Sequence, residues 1–390
     1  MDNNFILMHM DIPCGVMAVD EISGSLTHFK SIDPEYTPFL GKADERSMKK
    51  WWDARAIPGA RAEIGQFLRA AGCENTRIYL AKNLALSLTD TYWVCPADLD
   101  LHWDDVSLYR GCGTGIELLP YNNNSSYDPN ASLGGQMDKY WELTGDCPVL
   151  VKRAYKYHGQ QNINELFATI VNDRQDSGVE YVRYSVEKTS DNGVLSRCKA
   201  FTNEKLELVT AYEILGSAKL KNDASLFDQY ITICEGHGIA GEDMKRFMDY
   251  QTLVDFAISN TDEHLMNFGV LRDTSTMKLV SPAPMFDFGN SMFYADEHLK
   301  VYSKAELLER KITSFYDSEE KMLKQISNKK MIDIDALPSC DEVMDIYTEY
   351  GLPEERALLI AGNYNIKLQL LSDFQKGMTI SLYNEKKKLR

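Results

Sequence analysis

Ser259-Asn-Thr-Asp-Glu-His-Leu-Met-Asn267, taken with Met285-Phe-Asp-Phe-Gly289, decides how the rest of the chain is read. Asp262 and Asn267 stand five residues apart, and Asp287 follows within Asp-Phe-Gly. A carboxylate that orients an accepting hydroxyl, a side-chain amide at that spacing and a further carboxylate form the set that transfers a phosphoryl group from ATP with magnesium. The preceding run, Tyr250–Ile258, carries apolar residues on a helical period, so Asn260 and Thr261 are predicted to end a buried helix and start a loop. Between the motifs a hairpin is expected: Phe268–Arg272, a turn at Asp273–Thr276, and a return strand Met277–Val280. Asp-Phe-Gly alone is usually an ordinary turn. The order of the elements and the rigid hairpin between them carry the reading.

These residues have a family likeness. Asn260-Thr-Asp-x-His-x-x-Asn267-Phe-Gly, followed by Ala283-Pro-x-Phe-Asp287, resembles the HipA-like serine/threonine protein kinases, over roughly residues 125–300. The resemblance implies an α+β, two-lobed kinase-like fold, with a small β-rich N-lobe and a larger helical C-lobe. On this reading residues 1–125 are an N-terminal extension of sheet and helices, 126–205 the N-lobe, and 206–390 the C-lobe with a terminal helical bundle. Asp262 becomes the group that accepts the hydroxyl proton, and Asn267 and Asp287 the magnesium ligands.

Bulk properties agree with a globular chain. Its 390 residues suffice for two or three domains, and 44% hydrophobic and 26% charged residues are ordinary proportions. No run approaches the about 18 apolar residues of a membrane span. Met1-Asp-Asn-Asn lacks the basic start of a secretory signal, so the expected location is the cytoplasm. The eight cysteines are scattered without metal-ligand or disulfide spacing and are expected to be reduced. A net charge of −16 opposes general attraction to nucleic acid or an anionic membrane, and neither partner is expected. ATP is compatible with it, because a nucleotide needs only a local cluster of cations and amides.

From the N-terminus, residues 5–38 alternate as a small antiparallel sheet with turns at Pro13-Cys-Gly15 and Ser23-Gly24. Arg46–Arg55 and Ala60–Ala71 read as a helix pair split by Pro58, with Trp51-Trp52 as packing residues. Gly111-Cys-Gly-Thr-Gly115 reads as a plain loop, and the polar Tyr121–Asn130 as a domain boundary. Two strands follow, around Ser132–Glu142 and Val149–Arg153, with Gly134-Gly135 between or before them. Glycine lets backbone amides approach an anion, and Lys152 in its apolar strand has the reach to bind phosphates; the other reading is a plain hairpin with an exposed lysine. The resemblance adds Ser132 as an inhibitory autophosphorylation site and Lys139 as a second phosphate contact. Asn162–Val171 has apolar residues at 163, 166, 167, 170 and 171, an amphipathic helix. Its Glu165 either pairs with Lys152 or is an exposed helical glutamate. Val179–Glu187 and Val194–Thr202 read as strands, the second leading to backbone groups at Lys199–Phe201 that are expected to meet adenine. Leu226–Ile233, Gly241–Tyr250 and most of 295–390 read as helical, and Asn384–Arg390 as a frayed basic tail.

The expected activity is ATP- and Mg2+-dependent phosphorylation of a Ser or Thr hydroxyl on a protein, with an antitoxin-like regulator as a further partner in the manner of some HipA-like kinases. The rivals are a small-molecule or lipid kinase with the same ATP site and a non-catalytic nucleotide-binding regulator. Phosphate appearing on protein separates the first from the second, and ATP consumption separates both from the third.

Overall fold

The computed structural model describes residues 2–61, 64–110, 127–143, 145, 147–190 and 193–388. The Gly111–Gly115 loop lies outside them, as does the Tyr121–Asn130 boundary up to residue 126. The chain divides into two compact units, one of residues 1–152, 199–221 and 271–280, the other of 153–198, 222–270 and 281–390.

In the first unit, β1 (Asp2–His9), β2 (Ile12–Asp20), β3 (Leu26–Ser31) and β4 (Tyr92–Pro96) form a sheet of order β3-β2-β1-β4. Its pairs are antiparallel, with Leu7 opposite Gly15 and His9 opposite Tyr92. Alternation sends Phe5, Leu7, Met17 and Val19 to one face, against Trp51, Trp52 and Leu80 of the flanking helices. Trp93 and Cys95 alternate to the other face, under Leu86, Leu88 and Trp103. The sheet is thus covered on both sides, which is why β4 is buried throughout. Gly15 is required by closeness: a Cβ there would lie 2.6 Å from the Phe29 ring. Helix Glu45–Arg55 starts at an Asp44/Ser47 capping box. It ends at buried Arg55, which donates to both Asp90 oxygens at 2.6 and 2.8 Å. Trp52 packs and donates to Gly24 O at 2.8 Å.

A buried charge network joins that sheet to β9 (Leu206–Thr210) and β10 (Gly269–Asp273), which with β11 (Leu279–Pro282) make a three-stranded sheet. Glu207 accepts from Arg272 Nε at 2.8 Å and from Thr91 N and Oγ1 at 3.0 and 2.8 Å, and lies 2.9 Å from His9 Nε2. Burial alone would raise its carboxyl, but Arg272 and His9 outweigh burial and hold it well below the usual carboxylate range. The same unit holds the neighbouring strands β5 (Asp138–Glu142) and, up to Lys152, β6 (Val149–Ala154).

The second unit is built around helix Gly241–Ile258, an 18-residue element whose last two turns are buried almost entirely. The two helical stretches read at Gly241–Tyr250 and Tyr250–Ile258 are this one helix. Around it lie helices Gln160–Asp173, Leu226–Gly236, Cys340–Glu349 and Glu354–Gln375, and the hairpin of β7 (Ser185–Lys188) and β8 (Val194–Lys199). Lys367 donates to both Glu319 oxygens at 2.6 Å, a buried ion pair with the ammonium 3.5 Å from the Phe256 ring centre.

Three local expectations are corrected. Val179–Glu187 is a strand only from Ser185, because the earlier residues pair with Met285 through a single bridge at Tyr181. Within 295–390, read as mostly helical, residues 318–326 are helical only over Glu319–Leu323. The basic tail is not frayed as far as Lys388: Leu382–Lys388 is a helix, tied by Lys386 to Glu309 at 2.6 Å and by Leu382 N to Glu320 at 3.1 Å. No helix among the described residues is long and apolar enough to cross a membrane.

Candidate active site

Helix Gly241–Ile258 stops because Ser259 takes a left-handed φ of 53°, and the Asn260 N–H then donates to Asp255 O at 2.8 Å. The chain is released two residues before Asp262. Thr313 N fixes the loop by donating to Thr261 O at 2.9 Å. Within it, Asn267 Nδ2 donates to the Asp262 carbonyl at 2.7 Å, and Asn267 N to His264 O at 2.7 Å. His264 Nδ1 accepts from Met266 N at 3.3 Å, so this histidine orders the loop.

The Asn267 amide nitrogen is thereby used, which leaves Oδ1 as the end suited to a hard cation. Asp262 Oδ2 accepts from Asn290 Nδ2 at 2.6 Å, and among the described residues Oδ1 accepts no hydrogen bond. One oxygen is held, and the other is available to an acceptor hydroxyl.

Asp287 sits at φ 65°, a left-handed conformation uncommon outside glycine, and its N–H donates to Tyr184 Oη at 3.1 Å. The segment after it is clamped by polar residues of helix Gln160–Asp173. Asn164 Nδ2 donates to Gly289 O at 2.8 Å and Ser291 O at 2.7 Å, Gln160 Nε2 to Met292 O at 2.9 Å, and Gln161 Nε2 to Asn290 Oδ1 at 3.2 Å. Tyr347 Oη completes Asn164 by donating at 2.7 Å.

Beneath the loop, Asn260 Nδ2 donates to Asp255 at 3.0 Å and Glu263 at 3.2 Å, and Gln251 also donates to Glu263. Asp255, Asn260 and Glu263 line a cavity together with Thr313 and Glu319. Burial, then Asp255, then Asp287 and Asp262 push the Glu263 carboxyl well above its ordinary value. Burial likewise raises Asp255, opposed by the Asn260 hydrogen bond. Asp262 and Asp287 thus both act electrostatically on Glu263.

Glu165 is fully buried, not exposed, and accepts from Ser196 Oγ at 2.8 Å. Of the apolar stripe on its helix, Ile163, Phe167 and Val171 are buried while Leu166 and Ile170 are only half-buried. Asn162, Asn164, Thr169 and Asn172 are buried as well, because each is hydrogen-bonded.

In the first unit, Ser132 ends a short 3-10 turn, Pro129–Ser132, and Gly135 follows at φ 83° with Lys139 folded back so that a Cβ on Gly135 would lie 2.7 Å from Nζ. Gly134 is half-buried beside it. Lys152 is buried at 3% exposure inside β6, not solvent-facing. At the expected adenine contact, the Ala200 N–H is already donated to Pro148 O at 2.9 Å; Lys199 is exposed and Phe201 half-buried.

Sequence reading missed two residues. Asn290 stands three positions after Asp287, and only its polarity beside Gly289 hints at a role. Arg61 reaches from the N-terminal segment to the carbonyls of Leu133, Gly134 and Gly135, and no local signal marks it.

No protein-family model matches the chain. Over 153 residues it is 32% identical to serine/threonine-protein kinase CtkA of Helicobacter pylori, a match covering 37% of this chain and 45% of that protein. The chain thus matches less than half the length of that relative. The crystal structure of the Helicobacter pylori proinflammatory kinase CtkA aligns at 17% identity with a TM-score of 0.42, over 64% of this chain and 91% of the other. HipA of Shewanella oneidensis, solved in a toxin–antitoxin complex with HipB and operator DNA, aligns over 96% of this chain and 98% of its own at 12% identity and a TM-score of 0.55. In fold, and over part of its length in sequence, the chain is similar to the HipA-like serine/threonine kinases.

Proposed function

We propose that the chain is an ATP- and Mg2+-dependent phosphotransferase that phosphorylates Ser or Thr hydroxyls on protein. The observation that carries this reading is the Asp262–Asn290–Asn267 arrangement: a carboxylate with one oxygen held by Asn290 and an amide whose nitrogen is held by the Asp262 carbonyl. Asp262 orients the acceptor hydroxyl and takes its proton as the new P–O bond forms. The bond from the γ-phosphorus to the bridging oxygen breaks, and ADP leaves with that oxygen's electron pair. Magnesium, when bound, neutralises the phosphate oxygens; Asn267 Oδ1 and Asp287 would hold it. Lys152 and the Ser132–Lys139 loop are the groups proposed to supply positive charge and amides to the phosphates, and the backbone at Lys199 and Phe201 to meet adenine.

Ser132 is the proposed autophosphorylation site. An antitoxin-like protein is the proposed regulator, on the strength of the partner with which the fold neighbour was solved. Incubation with γ-labelled ATP and a lysate of the host tests the reading. Label on protein, lost in Asp287→Ala, supports it; label confined to small molecules or lipid would replace protein with another acceptor, and no ATP turnover would end it.

A further inference from the structure

We propose that Arg61, from the N-terminal segment, is a positioning residue that presets the glycine loop for phosphate; the inference rests on the phosphotransferase reading above. The Arg61 side chain is buried, and its Nη2 donates to the carbonyls of Leu133, Gly134 and Gly135 at 2.5, 3.2 and 2.9 Å, with Nε 3.3 Å from the last. A planar trans peptide sets each carbonyl antiparallel to the following N–H. Drawing these carbonyls toward one guanidinium therefore turns the amides of Gly134, Gly135 and Gln136 the opposite way. None of those amides donates a hydrogen bond to another described residue, and Gly135 and Gln136 are exposed.

The result is a row of backbone donors turned away from the guanidinium, two of them on exposed residues, with their dipoles aligned by a cation behind them. Such a row suits the oxygens of a polyphosphate. Gly135 at φ 83° allows the bend, and its missing Cβ makes room for the Lys139 ammonium. Without Arg61 the carbonyls would be free to rotate outward, where they repel an anion. The amide donors would then have to be ordered by the nucleotide itself, at a cost in affinity.

Titration of the full-length protein with ATP–Mg2+ and with a non-hydrolysable analogue, alongside turnover, tests this. Arg61→Met should raise the nucleotide Kd and KM about 10- to 100-fold. Its kcat at saturating ATP should stay within about threefold of wild type, since the groups on the reacting atoms are untouched. Arg61→Lys, which keeps the charge but not the fork, should recover part of the affinity. A wild-type Kd in Arg61→Met, or a fall in kcat with KM unchanged, would overturn the proposal. If Arg61→Met does not fold, Arg61→Lys decides: a severalfold weaker Kd with an unchanged melting temperature supports the role, and an unchanged Kd refutes it. Wild-type protein that binds no nucleotide would overturn the phosphotransferase reading and this inference with it, whereas tight wild-type binding indifferent to Arg61 would remove this inference alone.

Discussion

Asn290 holds Asp262 by one hydrogen bond at 2.6 Å and is itself held by Gln161 and Thr261. Asn290→Ala should let the carboxylate rotate and lower kcat about 10- to 100-fold with little change in KM for ATP; steady-state kinetics read this directly. Asp262, Asn267 and Asp287 stand out by their spacing and order along the chain. Asn290 does not, since its partner is 28 residues away and no rule of spacing links them. Glu207 makes a separate point at this scale. Replacing it by Gln removes the counter-charge of buried Arg272, and the variant should lose about 3–5 kcal/mol in a urea melt.

Helix Gly241–Ile258 ends over the Asp255–Asn260–Glu263 cluster, and that cluster gives the element a pH dependence. Both carboxyls have folded pKa values raised above their unfolded ones, so the folded state binds the extra protons. Their contribution to stability is complete below about pH 4 and is lost as pH rises toward and through neutrality. Glu263→Gln keeps the size and one acceptor oxygen without the titration. Its melting temperature relative to wild type should therefore climb between pH 5 and pH 8, and a flat difference would show that Glu263 does not carry the effect. Helix Gln160–Asp173 illustrates what apolar periodicity leaves out. Its apolar positions were readable, but Gln160, Asn162 and Asn164 are buried because backbone carbonyls of other segments satisfy them, and those partners belong to the tertiary structure. Asn164→Ala leaves two such carbonyls, Gly289 and Ser291, without their donor. It should lower the melting temperature by several degrees.

At the scale of the whole molecule, the order of strands and helices and a β-rich N-terminal part were readable because alternation and helical period are local signals. The purpose of the first 96 residues was not readable. Their role depends on His9, Thr91 and Tyr92 meeting Glu207 and Arg272, residues more than a hundred positions distant. The sheet they form is part of the same unit as β9 and the Leu271–Asp273 part of β10, so a chain lacking residues 1–37 should give no cooperative melt. The central claim is that Asp262 handles the hydroxyl proton while other groups hold the nucleotide. Measuring nucleotide Kd and transfer of γ-labelled phosphate for Asp262→Ala against wild type tests it most directly. The account predicts an unchanged Kd with transfer lost by more than a thousandfold; transfer at the wild-type rate would contradict it.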